Sequence, residues 1–134
     1  PVIVGVTGPM TLAGHILGIE NLLRAIIKKP NLVKEILDFC TKLSSVYINA
    51  IIDAGADVIC VADPTSSPDI TPPNFFAQVI KPFLQRLALE ITRRNAIGVL
   101  HICGRAQRIL NAMGDNIAIT SSLSFNWLSS ETRF

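Results

Sequence analysis

Charge is scarce in this chain: Asp, Glu, Lys and Arg make up 16% of its 134 residues, against 49% hydrophobic residues, and the mean hydropathy is +0.45. Ordinary globular domains carry about 25% charged residues, so the apolar excess reads as surface meant to be covered. The few charges nearly balance at net +2, and the basic ones cluster only at Lys28/Lys29 and Arg93/Arg94. Without a basic stripe there is no footprint for a phosphate backbone, and nucleic acid is not an expected partner. No apolar run approaches the roughly 18 residues of a membrane-crossing helix. The richest stretch, Ile48 to Ile52, is broken by Asn49 and closed by Asp53. Cysteine is sparse too. There are three, an odd number without paired spacing or a preceding secretory signal, which argues against a disulfide framework and for a reducing, cytoplasmic setting. Position 1 is Pro rather than Met, and a strand-like run follows at once. We therefore expect a fragment of a larger fold, although 134 residues suffice for one domain with a core.

What is present alternates in period. Val2 to Val6 is an apolar, β-branched run of strand length, stopped by Thr7-Gly8-Pro9. Apolar residues then recur at helical spacing from Leu12 to Ile27, with Gly18 as a break between two short helices. After Pro30 the rhythm of Leu32, Val33, Ile36, Leu37, Cys40, Leu43, Tyr47, Ile48 and Ile51, with Lys34, Glu35, Asp38 and Lys42 opposite, predicts a long helix that Gly55 is suited to close. Val58 to Ala62 predicts a second buried strand, ended by Asp63-Pro64 and followed by a Ser/Pro-rich loop from Thr65 to Thr71. Thr71 is expected to cap the next helix, with Pro72 in its first turn and a kink near Lys81 because Pro82 lacks an amide hydrogen. Ile97 to Ile102 predicts a third strand and Arg105 to Met113 a short helix.

Buried strands joined by helical connections imply parallel pairing with right-handed crossovers. The expected class is α/β. Double-helix connections and polar residues at successive strand ends favour a partial (β/α)8 barrel of the TIM type over a doubly wound sheet. This would be roughly its C-terminal-half strands without the final ones. The barrel-like part is expected over residues 1–115, with 116–134 as a divergent tail, truncated or frameshifted, that lacks clear periodicity.

His101 and Cys103 are two apart at the end of the third predicted strand, where side chains at i and i+2 share a face. At a barrel mouth an imidazole and a thiolate suit zinc. For an isolated pair, the favoured alternative is a buried cysteine beside a hydrogen-bonded histidine. Gly104 allows the chain to turn there. Asp63 is a candidate for lining the mouth or, equally, for capping its loop. Thr7 and Gly8 follow the first strand and could line the same pocket. Asp69 is expected only to stabilise the Ser/Pro loop. His15 is given no role. Cys40 is expected in the core. Cys60 should point toward the outer helices if Asp63 faces the mouth.

Gly8-Pro9-Met10-Thr11-Leu12-Ala13, Asp53 to Ile59 running into Ala62-Asp63-Pro64, Ser67-Pro68-Asp69 and Leu100-His101-Ile102-Cys103-Gly104 occur in this order. Together they resemble the methylcobamide:coenzyme M methyltransferases of the uroporphyrinogen decarboxylase superfamily, over roughly Val2 to Asp115. The resemblance implies a (β/α)8 barrel with zinc held by His101, Cys103 and a second cysteine much farther along. It also implies coenzyme M as the thiol bound to zinc, and a methylated corrinoid protein as partner and methyl source. Zinc lowers the pKa of a bound thiol and so presents a thiolate nucleophile at neutral pH. No cysteine follows Cys103, so the distal ligand is absent. The chain alone is expected to be inactive, to bind zinc weakly and to self-associate. The alternatives are a uroporphyrinogen decarboxylase-like enzyme fragment, which needs no metal and for which His-x-Cys has no use, and an inactive truncated remnant.

Overall fold

The computed structural model describes residues 1–105, 109 and 118–120. Strand β1 (Ile3–Thr7) leads into helices α1 (Pro9–Leu17), α2 (Ile19–Lys28) and α3 (Pro30–Asp53), then β2 (Val58–Ala62). A 3-10 turn (Pro64–Ser66), α4 (Pro73–Phe75), a π-helical turn (Phe76–Ile80) and α5 (Lys81–Arg93) precede β3 (Ile97–His101) and β4 (Ala118–Thr120). The four strands form one sheet in sequence order, all parallel. Each connection must therefore cross over the sheet, as the alternation of strand and helix predicts. The α/β class holds. The short β4 was missed, because three residues in a stretch without periodicity carry no strand signal. Apart from Arg105, which is not helical, Ile109 and β4, the predicted Arg105 to Met113 helix and 116–134 tail lie outside the described residues.

The helix breaks follow from backbone chemistry. α1 and α2 meet at 107° about Gly18, whose φ of 79° suits a residue without a Cβ. α3 ends at Ala54, and Gly55 follows with a φ of 101°, the usual geometry just past a helix. Ahead of Pro82 the helix widens: the Lys81 N–H donates back five residues to the Phe76 carbonyl, which opens the turn that the proline ring would otherwise strike. Thr71 does not cap the next helix. Pro72 takes that position without a side-chain bond, because the buried Thr71 hydroxyl donates to the Thr65 carbonyl at 2.8 Å.

Val6, Ile59, Val61 and Leu100 are buried on the helix side of the sheet, against residues that include Phe76, Ile80, Leu84, Leu87 and Ile91. A Cβ on Gly98 would meet Ile91 at 3.7 Å, so alternate β3 positions face α5. The opposite face carries Ile3, Cys60, Ile97 and His101 and stays partly or wholly exposed. Cys60 therefore points away from the helices. Cys60 and Asp63 do lie on opposite sides, as alternation requires, but it is Asp63 that turns toward the helix layer.

Candidate functional site

The C-terminal ends of the strands align. Thr7 pairs with Ala62, Ala62 with His101 and His101 with Thr120, forming one row across the sheet. The row is tied together by backbone: the Gly8 N–H donates to the Ala62 carbonyl at 2.7 Å, and the Asp63 N–H to the His101 carbonyl at 2.9 Å. His101 is the last residue of β3. Cys103 lies beyond the strand, yet its Sγ is 3.2 Å from His101 Nε2. The two side chains meet as expected, with Cys103 just past the strand end and the turn at Gly104 following it. Gly104 has a φ of 86°.

Asp63 has no exposed surface. Its Oδ1 accepts the Thr11 N–H at 2.7 Å and its Oδ2 accepts the Ser66 hydroxyl at 2.7 Å, with the Met10 N–H farther off at 3.4 Å. These donors include free amides of the first turn of α1, where a carboxylate is favoured. Burial nevertheless pushes the Asp63 carboxyl above its usual range, against the pull of the Ser66, Thr11 and Met10 bonds. Gly8 is packed on it, and a Cβ there would lie 2.4 Å from Asp63 Cβ. Of the sequence-derived pocket candidates, Asp63 and Gly8 thus sit behind the strand ends under α1. Thr7, half-buried, ends β1 in the row of His101 but two strands away, about 10 Å at ordinary strand spacing. Its carbonyl accepts the Ser44 hydroxyl at 3.1 Å.

The other thiols do not join the pair. Cys40 is fully buried in α3, where burial and the nearby Asp63 push its pKa to about 11. Cys60 shares the His101 face but pairs with Val99, one side-chain repeat below His101, and burial raises its pKa. Among the described residues no group of three His, Cys, Asp or Glu side chains could hold a metal ion. The pair itself fits zinc. Ligand distances of about 2.0–2.1 Å to nitrogen and 2.3 Å to sulfur put two tetrahedral donors about 3.6 Å apart, and the observed 3.2 Å needs only a small opening. Asp69 reaches beyond its own loop: its carboxylate accepts from both the backbone N–H and the Nε of Arg105, at 3.1 and 3.0 Å. Its place in Ser67-Pro68-Asp69, among the quoted motifs, was the available signal.

Comparison with known proteins finds relatives among methyltransferases. The family model described as Uroporphyrinogen decarboxylase (URO-D) matches residues 1–131. The methylcobamide:CoM methyltransferase MtaA of Methanosarcina barkeri is 40% identical over 115 residues, covering 86% of this chain and 33% of that protein. The methylcobamide:CoM methyltransferase MtbA of Methanosarcina mazei is 31% identical over 113 residues, covering 84% and 33%. A solved methyltransferase from Methanosarcina mazei superposes with a TM-score of 0.82 at 40% identity, covering 88% of this chain and 34% of the other. The chain spans about a third of the length of these relatives. The resemblance drawn from the motifs is matched.

Proposed function

The chain belongs to the uroporphyrinogen decarboxylase family, and on that premise we propose that it is a segment of a zinc-dependent methyltransferase that moves a methyl group from a methylated corrinoid protein to the thiol of coenzyme M. The four parallel strands are then consecutive strands of a (β/α)8 barrel, and the row that contains His101 lies at the mouth, where such barrels carry their chemistry. The observation that carries the reading is the 3.2 Å approach of Cys103 Sγ to His101 Nε2 at the C-terminal end of a central parallel strand. Zinc bound there would supply Lewis acidity that keeps a substrate thiol ionised. His101 and Cys103 would supply one nitrogen and one sulfur ligand, leaving the thiol's position open, with a further ligand from outside the described residues. The corrinoid belongs to the partner protein. A cytoplasmic setting, expected from the cysteine usage, is part of the same proposal.

With two donors, the 134-residue chain should bind zinc weakly and transfer no methyl group by itself. Zinc titration against a chromophoric chelator, with methyl transfer from methylcobalamin to coenzyme M followed in parallel, tests this. Weak binding abolished by either His101→Ala or Cys103→Ala is expected. Binding indifferent to both substitutions would refute the metal assignment, and methyl transfer by the chain alone would refute its inactivity.

A further inference from the structure

Two loops meet beside the metal pair. The segment after β2 is a hydrogen-bonded scaffold: Thr65, Ser66, Ser67 and Thr71 are all buried, although every one of them is polar. Their bonds account for that burial. The Thr65 N–H donates to Thr11 Oγ1 at 3.1 Å, Ser66 Oγ to Asp63 at 2.7 Å, and Thr71 Oγ1 to the Thr65 carbonyl at 2.8 Å. The Ile70 and Thr71 amides both return to the Ser67 carbonyl, at 2.9 and 2.8 Å. The segment after β3 has no such internal framework among the described residues and carries Cys103 into a turn with positive φ at Gly104.

Asp69 joins them. Its own N–H donates to Ser67 Oγ at 3.2 Å, fixing it on the scaffold. Its Oδ2 then accepts the backbone N–H of Arg105 at 3.1 Å and its Oδ1 accepts Arg105 Nε at 3.0 Å. The carboxylate lies so close over the turn that a Cβ on Gly104 would fall 2.4 Å from Asp69 Oδ2 and 2.7 Å from Ser67 Oγ. Gly104 is thus required for the carboxylate to approach as well as for its φ. The Arg105 side chain is 67% exposed, and an ion pair so open to solvent contributes little. The backbone bond is the part of the contact that reaches the turn.

We propose that Asp69 is a positioning residue for the metal pair: it holds the Cys103–Gly104–Arg105 turn against the β2 loop and so sets Cys103 Sγ facing His101 Nε2. The Asp63 N–H bond to the His101 carbonyl holds the other member from the same segment. One loop therefore fixes both donors. This inference rests on His101 and Cys103 being ligands, as proposed above. Groups that orient ligands in this way typically change metal affinity 10- to 100-fold when removed.

The test measures zinc affinity of the chain by chelator competition in Asp69→Ala, Asp69→Asn and Arg105→Ala, with unfolding midpoint as a control. It is paired with the alkylation rate of each cysteine in the metal-free chain, resolved by peptide mass. Expected are a loss of about ten-fold or more in zinc affinity for Asp69→Ala, partial rescue by Asp69→Asn, which keeps an acceptor for the Arg105 amide, and near wild-type affinity for Arg105→Ala. The Cys103 alkylation rate should change several-fold in Asp69→Ala while that of Cys60 stays constant. Wild-type zinc affinity and wild-type Cys103 reactivity in Asp69→Ala would overturn the proposal, as would equal loss in Asp69→Ala and Arg105→Ala, which would make the ion pair the cause. If zinc binding ignores His101→Ala and Cys103→Ala, the ligand assignment fails. The alkylation arm then still reads whether Asp69 holds the turn.

Discussion

At the scale of single residues, Asp63 sets two opposing effects against each other. Complete burial disfavours its charge, whereas the Ser66 hydroxyl and the amides of Thr11 and Met10 favour it. With burial dominant, its folded pKa is raised, so the folded state binds the proton more tightly than the unfolded state does. The resulting stability is fully present below the ordinary carboxylate value of about 3.9 and is lost as pH rises through the folded value. Urea unfolding at a series of pH values should therefore show the free energy falling as pH rises above about 4, and Asp63→Asn should flatten that slope. Stability that instead rises over this interval and is unaltered in shape by Asp63→Asn would mean that the donors prevail over burial. Asp38 runs the other way: bonds from Arg86 and Lys42 hold its carboxyl below the usual range, so its small contribution disappears as pH falls. The sequence showed that Asp63 ends a strand, but its direction was not legible. Alternation stops where the strand stops, and only the proximity of α1 reveals which way the carboxylate turns.

At the scale of elements, α3 and α5 are joined across their facing sides by Glu90, which accepts from both Ser45 and Asn49, and by the Arg86–Asp38 pair. Below these polar contacts the π-helical turn places Phe76 and Ile80 wholly in the core. Phe76→Ala should cost about 3–5 kcal/mol through the cavity it leaves, whereas Leu43→Ala on the outer side of α3 should stay within about 0.5 kcal/mol. Chemical denaturation of the two variants checks the contrast, and equal losses would show that the outer face of α3 is covered. Helical periodicity located α3 in full, but it overstated the buried stripe: Leu32, Leu43 and Tyr47 belong to the apolar rhythm and are exposed. Period identifies a face, and the width of that face actually covered depends on neighbours that sequence spacing does not specify. The break before Pro82 was legible for the opposite reason, since it follows from covalent chemistry within one turn.

At the scale of the whole molecule, the described residues leave apolar surface uncovered in places that include the open face of the sheet, where Ile3 is 65% and Ile97 61% exposed, and the outside of α3, where Val46 is 70% exposed. Unpaired strand edges and contiguous apolar patches favour association. Sedimentation velocity across a concentration series should show reversible self-association of this chain, weakened by Val46→Lys if α3 takes part. A compact monomer at every concentration would contradict the expectation. The α/β class and the meeting of His101 with Cys103 were legible at this scale because strand order and local spacing determine them. The clasp of Asp69 on the turn after Gly104 was not, since it joins residues 36 apart through a close approach that only folded backbones reveal.

The pairing of β1 with β2 also fixes an order of events during synthesis. Val2 and Asp57, bonded at the start of this pair, stand 55 residues apart, and what lies between β1 and β2 is helix and short connections. During synthesis at about 5–20 residues per second, β1 precedes its partner β2 (Val58–Ala62) by several seconds. Through that interval α1, α2 and α3 can form from local contacts alone, before the β1–β2 ladder can be laid down. The ladder is therefore a late event relative to the helices it encloses, and anything that binds apolar strands has those seconds in which to compete with β2 for this edge of β1.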